Sequence, residues 1–254
     1  MNWCEQLITE INWQELTHAY GPADDLPEQL RTLIGPSEAW GEAAHHLWEA
    51  TTHQGRVFDS TPPVVRFLAR WLAERAEGDW DEAATYIALM CLHDAGQAAR
   101  VLGTVAPALG ACAPEVLEAL TPLALQPSHP ADGIIGAALI PWVAVAETHP
   151  QAVQLTAQLR TVLEDEQATR EWRGLVVLGL GELGQDVSRF LDDPDPAIRT
   201  CAALTNTGEK AAGVLQQTAT LGEVADEWFT WTVSFRLIHG VALACELELQ
   251  ERQG

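Results

Sequence analysis

The chain has 254 residues, of which 47% are hydrophobic, and its 36 acidic residues against 14 Lys and Arg give a formal net charge of −22. The hydrophobic fraction excludes wholesale disorder. The charge disfavours binding to nucleic-acid phosphates and would attract a basic partner, although a high net charge can also serve only to keep a protein soluble. Each half of the chain contains 18 of the acidic residues, so the negative charge is not concentrated in an acidic terminal tail.

Apolar residues recur at i, i+3, i+4 and i+7 along most of the chain, with proline or glycine between the segments, and alternating strand patterns are scarce. This pattern predicts an all-α protein. The predicted helices cover residues 13–20, 25–33, 37–50, 61–75, 79–92, 114–125, 132–147, 150–163, 168–183, 196–205, 209–219 and 224–248, with the last one kinked or split near Gly240.

The stretch DDPDPAIRTCAAL, residues 192–204, predicts a turn followed by an amphipathic helix. Asp195 can accept backbone N–H bonds of the first turn, and Pro196 suits the first helical position. The earlier stretch EDEQATREWRGLVVLGLGELG, residues 164–184, has the same order of turn acids, early arginines and apolar stripe. Helical units that recur about every 30 to 45 residues are typical of an α-solenoid.

The stretch GLGELGQDVSRFLDDPDPAIRTCAAL resembles a bacterial HEAT repeat, with the clearest repeat text at residues 164–205. HAYGPADDLPEQLRTL and HQGRVFDSTPPVVRFLARWLAE further resemble the start of free-standing bacterial HEAT-like proteins. The resemblance implies one domain over residues 1–254, a right-handed solenoid of antiparallel helix pairs that binds macromolecules. It also implies that Arg199 stacks on or pairs with a turn acid of a neighbouring repeat. It implies no particular chemistry.

The sequence offers few candidates for catalysis, metal binding or a cofactor. His46, Glu49 and His53 have helical spacing that could provide three metal ligands, but half-exposed helix residues explain them as well. Gly179, Gly181 and Gly184 form a G-x-G-x-x-G string without the strand and βαβ context of a nucleotide site, so close helix packing and a helix end explain it better. The five cysteines are predicted to be buried and reduced. We therefore expect no enzyme activity, no metal and no cofactor.

The ten tryptophans are the most informative feature of the composition. Trp13, Trp71 and Trp142 are predicted to fill the core. Other tryptophans stand beside acids, and because tryptophan is enriched at binding hot spots we expect such residues to form a partner surface. This predicted acidic–aromatic strip consists of Asp79, Trp80, Asp81, Glu82, Asp226, Glu227, Trp228 and Trp231.

The N-terminus lacks the basic and apolar regions of a signal peptide, and the most apolar window, residues 133–146, is too short to span a bilayer. We expect a cytoplasmic protein that binds neither membranes nor nucleic acid. The leading hypothesis is a non-enzymatic immunity protein, or antitoxin, that neutralises a basic bacterial toxin. The alternatives are a general HEAT-type scaffold or assembly factor, and a HEAT-like DNA glycosylase, which the excess of acids disfavours.

Overall fold

The structure is a computed structural model that describes residues 2–75, 81–103, 106–125, 132–165, 168–229, 236–237 and 239–252. Its contacts divide the chain into two compact units, residues 1–152 and 153–254. The prediction of an all-helical fold is confirmed, because helices packed on neighbouring helices dominate the described residues of both units. The single domain over residues 1–254 stays a prediction.

Nine α-helices begin in the described part of the first unit, and the ninth contains the boundary at residue 152. These are α1 (Asn2–Glu10), α2 (Leu26–Ile34), α3 (Trp40–Thr51), α4 (Thr61–Arg75), α5 (Glu82–Leu102), α6 (Pro107–Gly110), α7 (Ala113–Ala124), α8 (Asp132–Val145) and α9 (Pro150–Val162). The described part of the second unit continues with α10 (Arg170–Glu182), α11 (Pro196–Thr205), α12 (Glu209–Ala219), α13 (Glu223–Asp226) and α14 (Val241–Glu251). The last predicted helix is thus split, and α14 begins after Gly240.

The predicted helix at residues 13–20 is wrong. A short 3-10 turn, Trp13–Glu15, is followed by a hairpin of two strands, β1 (Thr17–His18) and β2 (Gly21–Pro22). Gly21 has φ +142°, a backbone conformation that favours glycine, and Pro22 has no N–H for a helical hydrogen bond. These two residues favour the hairpin over a helix in this part of the chain.

Helices of the first unit pack in two rows. In one row α3 packs on α5 and α5 packs on α8, while α4 packs on α7 in the other. The contacts α4–α5 and α7–α8 join the rows. An amphipathic helix has one apolar stripe to bury, and stacking such helices side by side buries the stripes against each other.

Tryptophan side chains fill much of this core. Trp13, Trp71 and Trp142 are at most 5% exposed, as predicted, and Trp40 joins them. Each indole N–H donates to a backbone carbonyl oxygen, so no polar cost accompanies the burial. Trp142 on α8 donates to the Leu92 carbonyl on α5 at 2.9 Å and links the two helices that pack most extensively.

In the second unit, the turn before α11 has the predicted helix cap but not the predicted arginine contact. The Asp195 carboxylate accepts from the Ala197 N–H at 2.9 Å, and Pro196 is the first helical residue. Arg199, however, donates to the carbonyl oxygens of Asp193 and Pro194 in its own turn. The prediction that Arg199 pairs with a turn acid is therefore wrong, because these carboxylates accept from other arginines.

Those partners are arginines of the preceding helix, α10. Arg170 donates to Asp195 at 2.6 Å, and Arg173 lies 3.4 Å from Asp193. Ion pairs from two arginines of α10 therefore hold the turn before α11.

The glycine string lies within and just beyond α10, which excludes the strand that a dinucleotide site requires. A Cβ at Gly181 would lie 2.0 Å from the Thr205 hydroxyl oxygen, so the missing side chain lets α10 and α11 approach closely. Gly184 has φ +74°, its N–H donates to the Gly181 carbonyl, and the Gln185 N–H donates to the Leu180 carbonyl. This is a Schellman helix end, as the packing and helix-end interpretation predicts.

Asp195→Ala should lower the free energy of unfolding by about 0.5–2 kcal/mol, because it removes a helix cap together with the acceptor of Arg170. Denaturant titration of the wild type and the variant measures the difference. Asp186→Ala serves as the comparison, because it removes an exposed carboxylate from the turn between α10 and α11, where its hydrogen bonds are to the neighbouring Ser188. An Asp195→Ala effect no larger than that of the comparison would show that the cap does not stabilise α11.

Candidate functional site

The predicted acidic–aromatic strip is only partly available for a partner. Asp79, Trp80 and Trp231 lie outside the described residues. Of the described members, Asp81 and Glu82 belong to the first unit, and Asp226, Glu227 and Trp228 to the second. Glu82 and Glu227 are exposed and Trp228 is half-buried, so these three side chains are open to solvent to different degrees.

Two of the predicted surface acids form hydrogen bonds within the protein. Asp81 is the N-cap of α5, and its carboxylate accepts from the Ala84 N–H at 2.7 Å. Asp226 accepts from the Ala242 N–H at 3.0 Å, in the first turn of α14. A Cβ at Gly240 would lie 2.8 Å from that carboxylate, so the glycine makes the approach possible. Both carboxylates stabilise the starts of helices. The sequence analysis missed this role because it considered these acids only as neighbours of tryptophans.

His46, Glu49 and His53 do not converge on a common point. His46 donates to Asp25, Glu49 lies 3.6 Å from His45, and the His53 ring nitrogen Nδ1 lies 3.4 Å from the Tyr20 hydroxyl. Across the described residues, no group of three or more His, Cys, Asp or Glu side chains has the arrangement of a metal site.

The cysteines are buried and free, as predicted. Burial raises the pKa of the Cys91 thiol to about 12 and that of Cys112 to about 11, and it also raises the pKa of Cys201 and Cys245. A nucleophilic cysteine needs an accessible thiolate near neutral pH. These thiols serve as small apolar core groups instead.

The structure reveals a cluster around Asp25 that the sequence analysis missed. One carboxylate oxygen of Asp25 lies 2.9 Å from His18 Nε2, and the other lies 2.7 Å from His46 Nε2. The Tyr20 backbone N–H donates to His18 Nδ1 at 3.0 Å. Because Nδ1 of His18 is therefore an acceptor, its proton is on Nε2, and the neutral ring donates to Asp25. The carboxylate thus joins the hairpin, α2 and α3.

Burial pushes the pKa of Asp25 upward, but the hydrogen bonds from His18 and His46 outweigh it and hold the pKa below its ordinary value of 3.8. Asp25 stands at the N-cap position of α2 but makes no capping hydrogen bond. Instead of capping α2, this carboxylate binds two imidazoles. The signal that could have found the cluster is the concentration of histidines at residues 18, 45, 46 and 53.

The backbone around the cluster is tied down at several points. The Ala19 N–H donates to the Ala50 carbonyl at the end of α3, and the Thr17 N–H and hydroxyl both donate to Asp59. Tyr20 at the hairpin turn is 58% exposed. Gln54, in the turn that follows α3, has φ +51°, the one positive value of a non-glycine residue in the described ranges. Strained backbone of this kind is often found at functional sites.

A groove adjoins the cluster on the outer face of α3. It has a volume of about 470 Å³. Its lining consists of Gly41, Glu42, His45, His46 and Glu49 from α3 and Ile87 from α5. Glu42, His45, His46 and Glu49 follow each other at i, i+3, i+4 and i+7, which places them on one helical face. His46 therefore belongs to both the Asp25 cluster and the groove.

Asp25→Asn should destabilise the first unit at neutral pH by up to about 1 kcal/mol, a value reduced for solvent screening because the side chain is 40% exposed. Since the pKa of Asp25 is lower in the folded protein, its contribution is fully present above pH 3.8 and is lost as the pH falls through the folded value. The difference between wild type and variant should therefore shrink in acid. Asp24→Asn, which removes a neighbouring exposed charge, should show no such pattern. Parallel unfolding curves at neutral and acid pH make the comparison, and a constant difference would contradict it.

Most basic side chains in the described ranges already have acidic partners. The ion pairs are Arg31–Glu5, Arg66–Glu115, Arg70–Glu74, Arg170–Asp195, Arg173–Asp193, Lys210–Asp192, Arg236–Glu182 and Arg252–Glu248. Because the whole chain has 36 acids and 14 bases, a surplus of acids remains after these pairs form.

Among the described residues, no helix combines the length and the apolar character needed to cross a membrane. No protein-family model, curated protein or solved structure matches the chain.

Proposed function

We propose that the chain is a non-enzymatic, acidic binding protein that holds a basic protein, and that it acts as an immunity protein neutralising a basic toxin in the bacterial cytoplasm. The observation behind this proposal is the uncompensated charge: the net charge is −22, and the described arginines and Lys210 are largely engaged in ion pairs. A surface with this excess of carboxylates attracts cations and repels phosphates.

The fold supports a binding role. We propose that the stacked helices form a right-handed HEAT-like solenoid, which presents an extended surface built from consecutive repeats. Two features favour this form: the side-by-side packing of α3, α5 and α8, and the ion pairs from α10 to the turn before α11.

Affinity capture of the chain from its source cells, followed by mass spectrometry of what is retained, tests the proposal. We expect a basic protein that copurifies in a fixed stoichiometry, and a toxic activity of that protein which the chain abolishes at equimolar concentration. An acidic or neutral partner, or a basic partner whose activity the chain leaves intact, would contradict the immunity role.

Variants on the exposed members of the predicted strip refine the test. Glu82→Gln and Glu227→Gln should lower the association rate constant, because rim charges steer the encounter. Trp228→Ala should raise the dissociation rate constant instead, because a partly buried aromatic side chain acts after contact. Asp81 and Asp226 are unsuitable for this purpose, since their carboxylates hold helix starts. Surface-plasmon measurements with the captured partner separate the two rate constants.

A further inference from the structure

The buried ring of His18 uses both of its nitrogens to hold the hairpin in place. Its Nε2–H donates to the Asp25 carboxylate, just before α2, at 2.9 Å. Its Nδ1 accepts from the Tyr20 backbone N–H, in the turn between β1 and β2, at 3.0 Å. The ring therefore connects the hairpin turn with the start of a helix, and each nitrogen has a hydrogen-bond partner.

A second proton can enter the His18 ring at only one atom. Nε2 already carries the proton that is donated to Asp25, so an added proton must go to Nδ1. A protonated Nδ1 is a donor, and it would point at the Tyr20 N–H, which is also a donor. Because two donors cannot form a hydrogen bond with each other, a charged His18 ring breaks the contact in the hairpin turn.

His46, on the other oxygen of the same carboxylate, has no such conflict. Its Nε2–H donates to Asp25 at 2.7 Å, and its Nδ1 has no hydrogen-bond partner among the residues that the structure describes. The His46 side chain is 36% exposed, whereas the His18 side chain is 5% exposed. A second proton on His46 is therefore accessible to water and breaks no hydrogen bond. The two histidines share one carboxylate and differ in what a second proton does to the backbone.

Titratable groups face the His18 ring from the elements around it. Asp25 is the nearest, and its lowered pKa keeps the carboxylate ionised at neutral and mildly acidic pH. The rings of His46 and Tyr20 have centroids 6.3 Å and 5.9 Å from that of His18. Two further titratable groups contact the hairpin residues Tyr20 and Thr17, namely His53 and Asp59. An added proton on His18 would thus lie beside an ionised carboxylate.

We propose that His18 is a pH switch for the hairpin turn: the neutral ring holds the Tyr20 backbone, and the protonated ring releases it while remaining bound to Asp25. The change is local, because the Ala19 N–H still donates to the Ala50 carbonyl at the end of α3. Tyr20 is 58% exposed, so a fall in pH changes how this aromatic side chain is presented on the surface of the first unit. This inference does not depend on the proposed function.

Hydrogen exchange of the Tyr20 amide, measured by NMR on the intact chain, tests the switch. The protection factor, which is the intrinsic exchange rate divided by the measured rate at the same pH, removes the pH dependence of the exchange chemistry. Between about pH 8 and pH 5, the range in which imidazoles usually change charge, Tyr20 protection should fall about tenfold, with the same midpoint as the His18 ring signals. The amide of Leu47, a buried residue within α3, should stay protected. Constant Tyr20 protection over this range, or a fall shared with Leu47, would overturn the proposal.

Two variants distinguish the two histidines. His18→Asn provides a side-chain carbonyl that can accept from the backbone N–H two residues on, as in an Asx turn, and it does not titrate. Its Tyr20 protection should therefore be independent of pH over the same range. His46→Gln keeps an N–H donor for Asp25 and should retain the wild-type fall. A fall that persists in His18→Asn or disappears in His46→Gln would assign the pH dependence to another group and overturn the proposal. Circular dichroism verifies that each variant retains the helical fold.

Discussion

Gly181→Ala should lower the free energy of unfolding by about 3 kcal/mol, at the upper end of what one added methyl group costs in a packed interface. The new Cβ would lie 2.0 Å from the Thr205 hydroxyl oxygen and 2.6 Å from the Thr205 Cβ. Rotation of the threonine side chain relieves only the first contact, since its Cβ moves only with the backbone of α11. The helices α10 and α11 would have to separate.

The matched control is Gly213→Ala in α12, where no atom lies within 4 Å of the added Cβ. Alanine has the higher helix propensity, so this variant should gain about 0.5–1 kcal/mol. Urea unfolding of the three proteins gives both differences. A loss at Gly181 of less than about 0.5 kcal/mol, the range of ordinary surface substitutions, would contradict the close approach of α10 and α11.

Trp142→Ala should cost about 3–5 kcal/mol in the first unit, as is usual when a large buried aromatic side chain is removed. Trp142 is fully buried, and its indole nitrogen lies 2.9 Å from where a Cβ of Gly96 would stand. The ring thus fills the interface between α5 and α8, and alanine would leave a cavity there.

Trp142→Phe separates packing from hydrogen bonding at the same position. It keeps most of the aromatic volume but loses the N–H that donates to the Leu92 carbonyl, so we expect a loss of about 1–2 kcal/mol. Thermal unfolding of both variants, monitored by far-ultraviolet circular dichroism, gives the order of stability. A phenylalanine variant as unstable as the alanine variant would contradict the division between volume and hydrogen bond.

Features of the fold that depend only on residues close together in the sequence could be predicted. Asp195, Pro196 and Gly184 act at helix ends within a few residues of their own positions, and their chemistry there is general. The helical periodicity likewise located most helices. The hairpin was missed because its strands are two residues long, too short for an alternating pattern to be visible.

The Asp25 cluster could not be predicted by the same reasoning. His46 is 21 residues from Asp25 in the chain, and only the packing of α3 on α2 brings the two side chains together. The position of Asp25 at a helix start predicts a helix cap. Its carboxylate instead binds a residue that is distant in the sequence. Asp81 shows the converse, because a residue expected on a partner surface caps its own helix.

The central claim is that uncompensated acidity attracts a basic protein, and the salt dependence of association tests it most directly. The Debye screening length falls from about 30 Å at 0.01 M ionic strength to about 8 Å at 0.15 M. Electrostatic steering of charged partners accelerates association by about 10-fold to 1,000-fold. Stopped-flow mixing of the chain with its captured partner should therefore show an association rate constant that falls at least about tenfold over this range, with a nearly constant dissociation rate constant. An association rate constant independent of salt would contradict the claim.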